Sequence, residues 1–238
     1  MSISHSDQCH VIFPRFVFHR QYDGVAEFNK VLFELASKDA EANRTDGNHE
    51  KAIGNKATHL AHLRHNFLAE CKHPAVAQLI RMADDTVRAY LKAVYAYDHV
   101  GEIEMMSDTF HQRKSHGENV GINCHTHFPA DLVVTYYARL DRDPEEKNPL
   151  RQGAVRFYDP QHVNTRPWPN NNPSVFTNSW FNLVPDEGSM VIFEGHVPHD
   201  STYFDGDHRM CIPIMVNIVT PRKHCKVPVS DLLNFQEK

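Results

Sequence analysis

The apolar residues of this chain change their period near Gly101. Ahead of it they recur at helical spacing. From Val25, the residues Phe28, Leu32, Leu35 and Ala36 fall on one face, just after an Asp23-Gly24 pair. Pro74 opens the clearest stripe, in which Val76, Leu79, Ile80, Ala83, Val87, Tyr90, Leu91 and Val94 form one continuous apolar face. Asp84 and Asp85 lie opposite that face and are expected in solvent. Another helix is expected over 57–71, after a polar stretch at 40–56 that holds two glycines and reads as a loop. The first hundred residues therefore read as helical.

After Gly101 the segments are short, rich in Val, Ile, Phe and Tyr, and punctuated by Gly, Pro and Asn. "EIEMMSDTFHQ", "AVRFYD", "SWFNLVP", "SMVIFEG" and "MCIPIMVNIV" each suit a strand. No linker separates helices from strands. One α+β domain over 1–238 is expected, with a helical buttress (1–100), a β-sandwich or barrel (101–220) and a tail (221–238).

Composition narrows the classes. The chain has 238 residues, 41% of them apolar, enough for a sizeable core. A formal charge of −5 and an isoelectric point near 6.4 argue against a nucleic-acid surface. No run of about 18 apolar residues is present, so no membrane span is expected. The first residues show no cationic head followed by a long apolar core, so no secretory signal is expected. Five scattered cysteines without a CxxC pair read as reduced thiols in a cytoplasmic setting. Eighteen histidines are the compositional oddity, and each candidate ligand among them needs its own argument.

The candidate chemistry centres on "CHTHFPADLVVTYYARLD", residues 124–141. Alternate residues of a strand share a face, so His125 and His127 are expected side by side and able to meet one metal ion. A third ligand would come from a distant strand. His199 follows an apolar strand and a Gly-x-x-Pro bend, and Arg209 lies ten residues later. Asp131 shares the parity of His127 if the strand runs unbroken, which makes it the alternative third ligand. His196 and His208 are expected to be non-ligands. The segment at 161–178, with His162, Arg166 and Trp168, reads as an irregular loop that could act as a lid. Cys124 is expected on the opposite face from His125.

In this order, "HTHFPADLVVTYY", "GAVRFYDP", "VPDEGSMVIFEGHVPH" and "HRMCIPIMVNI" resemble the Fe(II)/2-oxoglutarate-dependent oxygenases, and more narrowly an oxygenase family with an HxH…H…R pattern. The resemblance spans about residues 101–220. It implies a double-stranded β-helix (jelly-roll, cupin-like) core with an N-terminal helical layer packed on the sheet. It implies Fe(II) as cofactor, with 2-oxoglutarate and O2 as cosubstrates. It carries over His125, His127 and His199 as iron ligands, Arg209 as the 2-oxoglutarate anchor and Tyr137 as a further contact to the same carboxylate. Most of the superfamily has a carboxylate where His127 stands, and Cys211 replaces the serine often found two after the arginine. The implied activity is oxidation of an unactivated C–H bond, by hydroxylation or by desaturation or cyclisation, with release of succinate and CO2. The implied substrate is a small molecule, an amino acid or natural-product intermediate. No nucleic-acid or membrane partner is expected, and a homodimer stays open. Two other readings remain at this level. One is a cupin-type metal dioxygenase or isomerase without 2-oxoglutarate, on the run His125, His127, Asp131. The other is a non-catalytic β-sandwich binding protein.

Overall fold

A computed structural model describes residues 4–12, 15–42, 66–97, 101–113, 121–159 and 180–219. Among these residues ten strands and three α-helices follow one another in the order β1 (Ser4–Ile12), β2 (Arg15–Asp23), α1 (Ala26–Ala42), α2 (Phe67–Glu70), α3 (Pro74–Tyr95), β3 (Glu102–Ser107), β4 (Phe110–Arg113), β5 (Leu132–Arg142), β6 (Val155–Tyr158), β7 (Trp180–Leu183), β8 (Ser189–Glu194), β9 (His199–Ser201) and β10 (Gly206–Val219). The larger sheet has the order β1-β2-β8-β5-β10-β3, with β4 also paired to β10. The smaller has the order β7-β6-β9. All these pairings are antiparallel.

The larger sheet is buried on both faces. On one face Val134, Tyr136, Ile192 and Ile212 pack with Leu32, Leu79, Val87 and Tyr90 of the helices. On the other, Val133, Tyr137, Val191 and Cys211 pack with Val155, Phe157 and Leu183 of the smaller sheet. The stripe expected from Pro74 is the face that α3 buries. Pro74 stands at the start of that helix, the His73 side chain accepts a hydrogen bond from the Ala75 amide at 3.1 Å, and Ala96 ends it in a left-handed conformation. The face expected on α1 is buried through Leu32 and Ala36, joined by Asn29, whose Oδ1 accepts from the Tyr136 hydroxyl.

One expectation needs correction. Ahead of Ala26 the chain is not helical, because β1 and β2 form a hairpin on the edge of the larger sheet. Strand β2 is apolar on both faces, with Val17 toward the smaller sheet and Phe18 toward the helices, so it lacks the alternation that marks a half-exposed strand. Its Arg20 is only 3% exposed and pairs with Asp7 at 2.7 Å and Asp85 at 2.8 Å. As expected, Asp85 is exposed on the outer face of α3, from where it also reaches Arg20, and Asp84 pairs locally with Arg88 at 2.9 Å. The helix expected over 57–71 is described only as α2. The rest of it, most of the 40–56 loop, the loop with His162, Arg166 and Trp168, and the tail after Val219 lie outside the described residues. Among the described residues no helix is long and apolar enough to cross a membrane.

Leu79 has no exposed surface. Leu79→Ala leaves a cavity in the helix-facing core and is expected to cost about 2–5 kcal/mol, read from chemical denaturation. A loss well under 1 kcal/mol would mean that α3 does not pack as described.

Candidate metal centre and its buried arginine

His125 and His199 oppose one another as an isolated antiparallel bridge. Each donates its amide to the other's carbonyl, at 2.9 and 3.0 Å, so both side chains emerge on the same side. Their ring centroids are 4.4 Å apart. His127 comes next along the chain and donates its amide to the Gly195 carbonyl at 2.8 Å. Its ring stacks on His199 at 5.1 Å. One ligand atom from each of the three histidines lies within 4.8 Å of the others, and the structure thus brings together the three residues singled out by spacing.

Their protonation suits metal binding. The Nδ1 of His125 lies 2.8 Å from the Asn123 carbonyl, and that of His199 lies 2.9 Å from the Val197 carbonyl. A carbonyl only accepts, so each Nδ1 carries the proton and each Nε2 keeps its lone pair. Burial, reinforced by the neighbouring His125, pushes the pKa of His199 down to about 3. His199 is thus neutral at physiological pH, as a ligand must be. It is 7% exposed, against the rings of Phe193 and Phe157, whereas His125 and His127 are half-buried. The open side of the group is therefore the side of the HxH segment.

Asp131 does not join them. A turn at Phe128 and Pro129 interrupts the chain, and β5 begins only at Leu132, so the parity linking Asp131 to His127 is lost. Its Oδ2 accepts from the Ile218 amide at 2.8 Å, and it lines a surface pocket with Tyr95, Glu194 and His196. The alternative third ligand and the cupin order both fail on this point. As expected, His196 and His208 stand outside the group. His196 is exposed at 3.4 Å from Glu194, and His208 meets His111 at 3.1 Å. Cys124 is exposed, though partial desolvation of its sulfur and the nearby Asp200 charge raise its thiol pKa.

Arg209 lies deeper, 2% exposed, on β10. A bulge shapes its surroundings. Cys211 pairs with Tyr137 and Met210 with Arg139, so Ala138 is the extra residue of β5. Tyr137 and Leu140 both face the core between the sheets as a result, beside Cys211. The Arg209 guanidinium sits 5.8 Å from the Tyr137 ring. Burial pushes the Tyr137 phenol above its ordinary range, opposed by the Arg209 charge. The Arg209 Nη1 donates to Gln112 Oε1 at 2.8 Å and reaches Ser201 Oγ at 3.5 Å. Its Nε has no partner among the described residues. Of the acids just before it in the chain, Asp205 pairs with Arg151 at 2.6 Å, and Asp207 is exposed. Ser201 is two residues beyond His199 on β9 and so shares its face, which links the arginine to the histidine group.

Sequence reasoning missed Ser201, Gln112 and Gly153. Strand parity from His199 would have flagged Ser201. Gly153 has φ +71°, and a Cβ there would come within 2.9 Å of Phe204 and 3.2 Å of Arg209 Nε, so it leaves room for the guanidinium. Gln112 reaches Arg209 only through the β4–β10 pairing, which no local pattern announces.

Two outcomes are expected. A Cβ on Gly195 would lie 2.1 Å from the Ala130 carbonyl, so Gly195→Ala pushes the turn after His127 away from β8. Metal affinity is expected to fall at least about tenfold, a change of about 1.4 kcal/mol, by titration of the stripped protein. Unchanged affinity would show that the turn can move without His127. The second concerns acid. A histidine whose folded pKa is depressed binds its proton more readily when unfolded, so its share of stability is full above about pH 6.5 and is lost toward pH 3. Metal-stripped His199→Asn is expected to show a shallower decline of unfolding free energy between those pH values than wild type, and an equal slope would reject it.

Neither a family model nor a curated protein sequence matches the chain. Solved structures resemble it at low identity. A prolyl-4-hydroxylase from Pseudomonas putida is 14% identical, covering 82% of this chain and 83% of that one at a TM-score of 0.45. AviO1 from Streptomyces viridochromogenes Tue57 is 14% identical, covering 65% and 66% at a TM-score of 0.42. HygX from Streptomyces hygroscopicus, solved with nickel and 2-oxoglutarate bound, is 11% identical, covering 62% and 68% at a TM-score of 0.40.

Proposed function

We propose that this protein is an iron- and 2-oxoglutarate-dependent oxygenase acting on a C–H bond of a small molecule, with the two sheets as a double-stranded β-helix core of a single domain. The observation that carries the reading is a buried arginine, without a carboxylate partner among the described residues, connected by one short strand to three clustered histidines. A buried cation without a counter-ion is costly unless an anion arrives to meet it.

The residues divide the work. His125, His127 and His199 would hold Fe(II), with the Nε2 atoms of His125 and His199 turned to it by the backbone carbonyls behind their Nδ1 atoms. Three neutral imidazoles bring no negative charge, so an anionic chelator is left to meet the charge of a divalent ion. Arg209 binds the remote carboxylate of 2-oxoglutarate with its planar fork, with Ser201 and Tyr137 beside it. Phe157 and Phe193 keep water from the inner side of His199. Bound iron would supply the oxidising chemistry with O2, and 2-oxoglutarate would leave as succinate and CO2. Substrate approaches from the half-buried side of His125 and His127. Hydroxylation is the default outcome, with desaturation or cyclisation the alternatives. A cupin-type reading lacks its acid once Asp131 is turned away, and a purely binding β-sandwich gives no reason to bury Arg209 without a carboxylate.

The test is anaerobic titration of the iron-to-2-oxoglutarate charge-transfer absorption. His199→Ala is expected to lose Fe(II) binding, whereas Asp131→Ala keeps it. Arg209→Ala should still bind iron but weaken 2-oxoglutarate by about thirty- to several-thousand-fold, the range expected when one partner of a desolvated charge pair is removed. Arg209→Lys recovers part of that loss, because an ammonium cannot reproduce the fork. Absence of the absorption in wild type, or wild-type affinity in Arg209→Ala, would reject the assignment.

A further inference from the structure

Among the described residues two arginines are almost fully buried, and they are partnered in opposite ways. Arg20, 3% exposed, is neutralised by Asp7 and Asp85 at 2.7 and 2.8 Å. Arg209, 2% exposed, instead donates to the amide oxygen of Gln112 at 2.8 Å and reaches the Ser201 hydroxyl at 3.5 Å. Gln112 is itself 2% exposed and stands directly opposite Arg209 in the β4–β10 pairing. A carboxylate of almost the same shape would occupy that position equally well by geometry. We propose that Gln112 is a specificity-determining residue, whose uncharged amide holds the Arg209 guanidinium in place without neutralising it, so that the positive charge remains for an anionic ligand. This deepens the oxygenase reading and rests on Arg209 as the anchor of that ligand.

The argument is electrostatic. A buried ion pair is stable when its partners satisfy one another, and an anion arriving at a guanidinium already paired gains little. An amide oxygen accepts the same hydrogen bond and fixes the same orientation, but leaves the net charge at +1. Gln112→Glu exchanges one side-chain nitrogen for oxygen and turns the cross-strand contact into an internal salt bridge. Gln112→Met keeps the length and removes the hydrogen bond without adding a charge.

The experiment uses the full chain loaded with Mn(II), which does not turn over. Calorimetric titration follows 2-oxoglutarate, glutarate and sulfate, and thermal melting follows stability. Gln112→Glu is expected to bind 2-oxoglutarate at least about thirty-fold more weakly than wild type, to melt at a higher temperature without ligand, and to bind Mn(II) as wild type does. Gln112→Met is expected to lose far less affinity and to melt lower. Equal 2-oxoglutarate affinity in Gln112→Glu and wild type overturns the proposal while leaving the oxygenase reading intact. So does an equal loss in Gln112→Met, which would make the residue merely structural. If wild type ignores 2-oxoglutarate but binds glutarate or sulfate, and Gln112→Glu abolishes that binding, the oxygenase reading fails and the role of Gln112 stands. If wild type binds none of the three anions, the proposal is overturned.

Discussion

The antiparallel pairing of β5 with β10 is the constraint on which the rest depends. Both strands lie in the interior of the larger sheet and are covered on both faces. One face must satisfy the helices, through Val134, Tyr136, Ile212 and Ile214. The other must present Tyr137, Arg209 and Cys211 to the smaller sheet. A strictly regular ladder would hold a single alternation to the end of β5. The bulge at Ala138 lets Leu140 return to the inner face opposite Arg209, so an apolar side chain stands beside the buried charge.

The histidine group is held by backbone more than by side chains. His125 and His199 exchange amide hydrogen bonds, His127 is tied to Gly195, and two of the three rings are oriented by main-chain carbonyls. Backbone acceptors cannot change protonation state, so wherever the rings are neutral they hold the proton on Nδ1 and leave Nε2 as the ligand atom. Side-chain carboxylates elsewhere do different work. Asp7 and Asp85 neutralise Arg20, Asp205 takes Arg151, and Asp200 holds Arg156 at 2.8 Å. None of these ion pairs includes Arg209.

Much of the fold was legible because it is written in local periods. The stripe from Val76 to Val94 has a helical repeat and one buried face, and the strands after Gly101 are bounded by turn residues. Strand β2 was not legible, because a strand buried on both faces shows no alternation, and its polar Arg20 and His19 are buried as well. The candidate site was legible in part. Strand parity paired His125 with His127, chain order pointed to His199 and Arg209, and the family resemblance added Tyr137; the three histidines cluster, and Arg209 lies beside Tyr137 and reaches Ser201 next to them. Asp131 was misplaced because parity holds only along an unbroken strand.

The sequence by itself determined which residue types could carry chemistry and on which local face each would sit, since helix and strand periods depend only on near neighbours. Tertiary structure alone decided which of those faces meet. His125 finds His199 seventy-four residues away across an isolated bridge, and Gln112 finds Arg209 across ninety-seven. The choice of amide over acid at position 112 is readable in the chain, but its consequence is not. Charge matters there only because packing removes both groups from water, and burial is a property of the assembled sheets rather than of any segment.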